Sequence, residues 1–413
     1  MSNVSMLDFL EGEIVLCAHH EPGVSSLTVG QPSFFIRTSS QSLVFEEPSL
    51  YLHERIVARG IRTSPHTWAA VAQALKTWFQ YLQILKRDWR LASSQDRIDY
   101  RDAYMVAISP KTGGKYHAST VKSRMSVIRD FYIYARDAEW YDGDIGSNLC
   151  GSDFRHYRDV DLPKARPNLA IHPLTRQDLR ALLQYAGPRA TQKMAGDQRL
   201  SRNRIIFDLG WAVGLRVGEI AALTILQFLA LAPDPLAPSA DQQLSIVRKG
   251  GKTCAVAIPN WLVSDILAYI EGERAAVLQV TDIPFRNQPI RLFLSQYGSS
   301  RQSKPISISR MQGIFEEACL GIGRLKIVDC IDPEGANNFF RKRARHSIHD
   351  LRHTYAVLTY HAERMSGNPE PWKKIQAQLG HKHLQTTIDI YLAHVEVFNM
   401  QPGLYDVRKI IGL

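Results

Sequence analysis

The sequence predicts an α+β protein, mainly α with a small antiparallel β-sheet, built from two successive domains. Three observations carry this reading. Apolar residues recur at helical spacing through both halves of the chain. One stretch centred on Gly250-Gly251 has the composition of a β-hairpin. A basic, proline-containing segment separates the halves, and 413 residues suit two or three domains.

The elements follow in chain order. Residues 1–46 are interrupted by Gly, Pro and Ser and show little periodicity, so they read as an N-terminal extension with no assigned role. From Ser64-Pro65, an N-cap followed by a first-turn proline, a helix is predicted. Trp68, Val71, Leu75, Phe79, Leu82 and Leu85 lie on one of its faces. A second helix is predicted after Ser119, with Val121, Met125, Ile128, Tyr132 and Ala135 inward. Its other face carries Lys122, Arg124 and Arg129, which read either as a solvated surface or as phosphate contacts.

The stretch 151–175 holds Pro163, Pro167 and Pro173 among basic residues. The expected division is therefore an extension over 1–46, a helical domain over 47–165, a linker over 166–171 and a second domain over 172–413. In the second domain a helix is predicted from about Thr175, and an apolar helix over Ile205 to Val213. A hairpin is predicted from Leu244–Arg248 and Thr253–Ile258, with Lys249 and Lys252 beside its turn. Helices are predicted to start at Asn260, Ser309 and near His349, and Arg341 to Arg345 form a dense basic cluster.

Composition narrows the function. A net charge of +10 and a pI of about 9.3 favour a polyanionic partner. No apolar run is long enough for a membrane span, and the acidic N-terminus lacks a signal peptide's basic region. The five scattered cysteines form no C-x-x-C pair and read as reduced thiols of a cytosolic protein. There is no phosphate-binding G-x-x-x-x-G-K-[ST] loop and no clustered acidic set of the two-metal nuclease kind, so no cofactor is expected.

Three short segments hold the residues that suggest chemistry. In Gly214-Leu215-Arg216-Val217-Gly218-Glu219, the glycine suits the left-handed end of one helix, and Arg216 begins the next. In His349-Asp350-Leu351-Arg352-His353-Thr354, residues 349, 352 and 353 share a helical face. The third is Leu379-Gly380-His381, followed by Thr386-Thr387 and Tyr391. Singly, each has a bland explanation. A surface arginine, a hydrogen-bonded histidine patch and one structural tyrosine among sixteen are all ordinary.

Together and in this order, Arg216, Lys249, His349, Arg352, His381 and Tyr391 resemble the tyrosine recombinase (phage integrase) family. The match is to its Gly-Leu-Arg-x-x-Glu, His-x-Leu-Arg-His-Thr and Leu-Gly-His…Tyr boxes, and it spans roughly residues 50–400. The resemblance implies a helical core-binding domain and a catalytic domain that close as a clamp on double-stranded DNA. It implies that Tyr391 forms a 3′-phosphotyrosyl bond, that Arg216 and Arg352 brace the phosphate, and that His349 and His381 assist. Lys249 would be the general acid, with Lys252 second in line, and Glu219 would either orient the arginines or be a surface residue. A homotetramer on two DNA sites, a C-terminal tail docking on a neighbour and a bacterial, phage or mobile-element origin are implied likewise.

The sequence departs from compact members of that family in the Pro-rich stretch Ala232 to Ala240, in the long segment between Lys249 and His349, and in Asn148-Leu149, where Asn-Pro is frequent. Three alternatives stay open: a type IB topoisomerase-like enzyme, a non-catalytic DNA-binding protein of the same fold, and a zinc hydrolase using His349 and His353. The last lacks the motif's glutamate, because residue 350 is Asp.

Overall fold

A computed structural model of the chain describes residues 4–18, 31–58, 65–109, 113–145, 171–248, 251–281, 283–295, 303–331, 338–381, 383–385 and 388. The chain divides into two compact units. One comprises Met1–Arg166 with Asp329–Phe339, and the other Pro167–Val328 with Phe340–Leu413. The class is α+β as predicted, with three small sheets among the described residues.

The first unit opens with a short helix α1 (Met6–Glu11) and three strands, β1 (Glu13–Ala18), β2 (Pro32–Arg37) and β3 (Ser42–Val44). They form one antiparallel sheet in the order β1-β2-β3. Helix α2 (Glu46–Tyr51) and a π-helical turn (Leu52–Ala58) follow, then α3 (Pro65–Ile84), α4 (Ser94–Val106) and α5 (Ala118–Asp137). The helix predicted after Ser119 begins at Ala118, and His117 caps it by accepting from the Ser119 amide.

The core of this unit is aromatic. Phe9, Phe34 and Phe45 meet Phe79 at ring-centroid distances of 6.2, 6.0 and 5.1 Å, and Phe131 meets it at 5.5 Å. Edge-to-face pairs of this kind add to the burial of apolar area. Residues 1–46, read in the sequence as an extension with no assigned role, contribute Phe9, Ile14, Phe34, Ile36 and Phe45 to the same core as α3 and α5. The β1–β2 strands were illegible because, between Glu13 and Ala18 and between Pro32 and Arg37, apolar residues fall on both faces, so no clean alternation marks them.

The second unit carries α6 (Arg176–Ala186), α7 (Ser201–Trp211), α8 (Val217–Ala222), α9 (Leu226–Leu229), β4 (Asp241–Val247), β5 (Thr253–Pro259), α10 (Asn260–Tyr269), α11 (Ala275–Val280), α12 (Ile308–Gly321), α13 (His349–Met365) and α14 (Pro371–Leu379), together with the start of β6 (Leu325–Ile331) and the end of β7 (Asn338–Ala344). Thr175 caps α6 through the Asp178 amide, as its sequence signature requires. Strands β4 and β5 pair antiparallel from Asp241↔Pro259 to Val247↔Thr253, which is the expected hairpin. The core gathers Leu182, Ile205, Leu209, Ile220, Ile246, Ile258, Ile266 and Leu351. A second two-stranded sheet, β6-β7, was not foreseen. Its strands contain the basic cluster, and a run of cations masks β-periodicity.

Candidate active site

The site is built where the ends of two helices meet a third. Helix α7 is followed by Gly214 in the left-handed region (φ 76°), a conformation that costs an L side chain energy. A Cβ there would also run into the Tyr355 ring and Leu379. Gly214 thus lets the α7–α8 turn lie directly under α13 and α14. Arg216 then stands at the N-cap of α8, and its backbone N–H donates to Glu219 Oε2 at 2.8 Å. An acidic residue in a helix's first turn is favoured by the dipole and by the free amides there.

Glu219 is buried and is the hub of the cluster. Arg216 Nη1 donates to its Oε1 at 2.9 Å, Arg352 Nη1 lies 3.8 Å from its Oε2, and Arg248 Nε lies 4.0 Å from its Oε1. Three guanidiniums around one carboxylate leave a net positive site. Of the two readings open for Glu219, orienting the arginines is the one its position supports.

Arg352 projects from the second turn of α13 and is only 1% exposed. Its Nη1 donates to the Gly214 carbonyl and its Nη2 to the Leu379 carbonyl, both at 2.6 Å. The Leu379 carbonyl ends α14, where the helix dipole is negative, and the Gly214 carbonyl lies in the turn between α7 and α8. A buried cation is costly unless it is paired and hydrogen-bonded, and this one is both. Arg216 is 41% exposed and faces outward.

His381 follows Gly380, the left-handed C-cap of α14 (φ 66°). A Cβ at Gly380 would lie on top of the Arg248 guanidinium, so the glycine is needed for close approach as well as for its backbone. His381 Nε2 comes within 3.5 Å of Arg352 Nη2. Desolvation, then Arg352, Arg216 and Arg248, push its pKa down to about 4. His349 begins α13, with its ring edge-on to His353 at 4.7 Å. Its pKa is also lowered, first by desolvation and then by Arg352 and Arg216. Both imidazoles are therefore held neutral near pH 7, able to donate one hydrogen bond and accept another.

Two participants had no sequence signal strong enough to single them out. Arg248 follows β4 directly, and its guanidinium donates to the Gln378 carbonyl. Gln378 is buried and ties three pieces together. Its amide nitrogen donates to the Val213 and Ala257 carbonyls at 3.0 and 2.8 Å, and its oxygen accepts from the Ala257 amide at 2.9 Å. A polar residue directly before Leu379-Gly380-His381 was the available clue.

Arg216, His349, Arg352 and His381 are thus brought together from three distant segments. Lys249 and Tyr391 lie outside the described residues, as do Thr386 and Thr387. Lys252 is exposed beside the hairpin turn. In the other unit, Lys122 is exposed and Arg129 half-buried. Arg124 is turned inward over the Tyr104 and Tyr116 rings, at 4.6 and 4.7 Å. That cation–π placement holds the Arg124 guanidinium against two rings. Among the described residues, no three His, Cys, Asp or Glu side chains group as metal ligands would, and no helix is long and apolar enough to cross a membrane.

No known family profile matches the sequence, and no curated protein is similar to it. Solved structures are similar in fold. The XerH site-specific recombinase bound to a palindromic difH substrate, in a post-cleavage complex, aligns with a TM-score of 0.54 at 16% identity, covering 86% of this chain and 84% of that one. The Tn1549 transposon integrase with circular intermediate DNA aligns at 0.49 and 15% identity, over 85% and 98% of the two chains. A lambda integrase dimer bound to a COC′ core site aligns at 0.48 and 14%, over 82% and 95%. The XerH likeness shows that the fold is one found among tyrosine recombinases.

Proposed function

We propose that this chain is a site-specific DNA recombinase that cleaves and rejoins strands through a phosphotyrosine. The observation that carries the reading is the cluster around Glu219. Arg216, Arg352, His349 and His381 come from three separate segments, and each sits in the local signature that suggested it. Such a site is built for a phosphodiester, whose non-bridging oxygens gain negative charge as phosphorus becomes five-coordinate. Outward-facing Arg216 and the neutral imidazoles donate to those oxygens. Buried Arg352 supplies fixed positive potential in a site where solvent screens it little.

Tyr391 is the proposed nucleophile. Its phenolic oxygen, deprotonated in the positive site, forms a bond to phosphorus while the bond to the 5′-oxygen breaks. The leaving oxygen takes a proton from a general acid, for which Lys249, next in sequence to anchored Arg248, is the candidate and Lys252 the alternative. Rejoining is the reverse: a 5′-hydroxyl attacks the phosphotyrosine and the phenol leaves. The phosphodiester energy is conserved in the covalent bond, so no nucleotide hydrolysis is required. Exchange between two sites calls for four protomers on two duplexes, and the region of residues 395–413 is proposed to link them.

The test is a plasmid carrying two copies of the chain's DNA site. Deletion or inversion of the intervening segment, dependent on Tyr391, is expected. Relaxation of supercoils in any plasmid, with no rearrangement, would instead assign a topoisomerase activity. Tight DNA binding with neither outcome would assign a purely binding role.

A further inference from the structure

The proposed chemistry leaves one basic feature unused. Among the described residues, strands β6 and β7 form a two-stranded sheet of their own, joined to no other sheet. Its foot in the catalytic unit is anchored. The Arg345 amide donates to the Arg324 carbonyl at 2.9 Å, Arg324 pairs with Asp178 on α6, and Arg343 lies 3.9 Å from Glu316 on α12. Arg345 leads within a few residues into His349 and the active-site helix.

Cys330 on β6 is buried, but the middle of the ribbon, around Lys326–Ile327 and Phe340–Lys342, is exposed. Successive strand side chains point to opposite sides, yet Phe340, Arg341 and Lys342 are all exposed, as are Lys326 and Ile327. Among the described residues, Lys326, Arg341, Lys342 and Arg345 meet no carboxylate, unlike Arg324 and Arg343. Cations on a sheet edge can serve simply to prevent edge-to-edge aggregation. That role does not account for Phe340, which is 76% exposed among them, or Ile327 at 64%. An unpaired row of cations with an apolar ring between them fits a polyanion that also offers flat or methyl-bearing surfaces. Duplex DNA has both, and a two-stranded ribbon is narrow enough to enter its major groove.

We infer that the β6–β7 ribbon is a second DNA-contacting element, with Arg341 and Lys342 on phosphates and Phe340 against the bases or sugars. The inference shares with the proposed function only the choice of duplex DNA as ligand. The experiment is titration of the full chain with a random-sequence 40-base-pair duplex over a range of salt. The wild type is compared with R341A/K342A and with F340S. All three positions are exposed, so folding should be kept, and an unchanged thermal transition confirms it. The double variant should bind about tenfold more weakly near 0.1 M salt, and its log K against log salt slope should be shallower by about 2. F340S should weaken binding with the slope unchanged.

Wild-type affinity and slope in both variants would overturn the inference. Loss of self-association with DNA affinity intact would overturn it in favour of a protein contact. No salt-sensitive binding by wild type would overturn it as well. Binding that responds to the ribbon variants but yields no covalent adduct would uphold the ribbon and sink the strand-cleavage reading.

Discussion

At the scale of single residues, the site is an exercise in placing charge. Glu219 gathers Arg216, Arg248 and Arg352, and the resulting positive field acts on both histidines. This has a measurable consequence for stability. In the folded chain the pKa of His381 is about 4, against an ordinary value of 6.5. Between those values the unfolded chain binds the extra proton, so folding is opposed by acid. The stability linked to His381 is complete above pH 6.5 and is lost as the pH falls toward 4. His349 acts in the same direction. The expected loss across that window, allowing for solvent screening of a half-exposed ring, is about 1–2 kcal/mol. Denaturant titrations at several pH values check it: His381→Gln should show a flatter acid limb than wild type, and superimposable limbs would contradict the charge assignment. The residues of the arginine and histidine boxes were legible because each carries its own local signature. Arg248 and Gln378 were not, because an arginine at a strand end and a glutamine in a helix are unremarkable until folding places them against Gly380 and Val213.

At the scale of elements, the helix ends make the site. Two glycines with positive φ, Gly214 and Gly380, allow α7 and α14 to end against α13, so that the Gly214 carbonyl just beyond α7 and the last carbonyl of α14 face the Arg352 guanidinium. A comparison of two alanine substitutions separates backbone strain from close approach. Gly367 has φ 81° with open space around it, so Gly367→Ala should cost about 1 kcal/mol from strain alone. Gly380→Ala carries a similar strain and also collides with Arg248, so it should cost about 2–4 kcal/mol and displace His381. Equal losses in chemical denaturation would mean that the contact with Arg248 is slack. Helix starts were readable from caps, as at Thr175, and the β4–β5 hairpin from its Gly-Gly centre. The β1–β3 sheet and the β6–β7 ribbon were not. The first lacks alternation, and the second is written in cations and exposed phenylalanines that a periodicity argument assigns to loops.

At the scale of the whole molecule, the chain puts an aromatic-cored unit and a unit holding the Glu219 cluster in succession, and the fold is similar to that of XerH at 16% identity. The two-part organisation was legible because the Pro-rich stretch after residue 150 interrupts two helical patterns. The inclusion of residues 1–46 in the first unit was not, because only the folded core shows Phe9 and Phe34 packed on Phe79. The central claim is that this assembly makes a covalent bond to DNA through Tyr391. It is tested most directly by trapping. Purified protein is incubated in EDTA with nicked duplexes tiled from the DNA flanking its own coding region, and SDS-resistant adducts are resolved by electrophoresis. The account predicts an adduct with one or a few duplexes that vanishes in Tyr391→Phe, which removes only the nucleophilic oxygen. An adduct that persists in Tyr391→Phe would place the nucleophile elsewhere, and no adduct on any duplex that the protein binds would contradict the account.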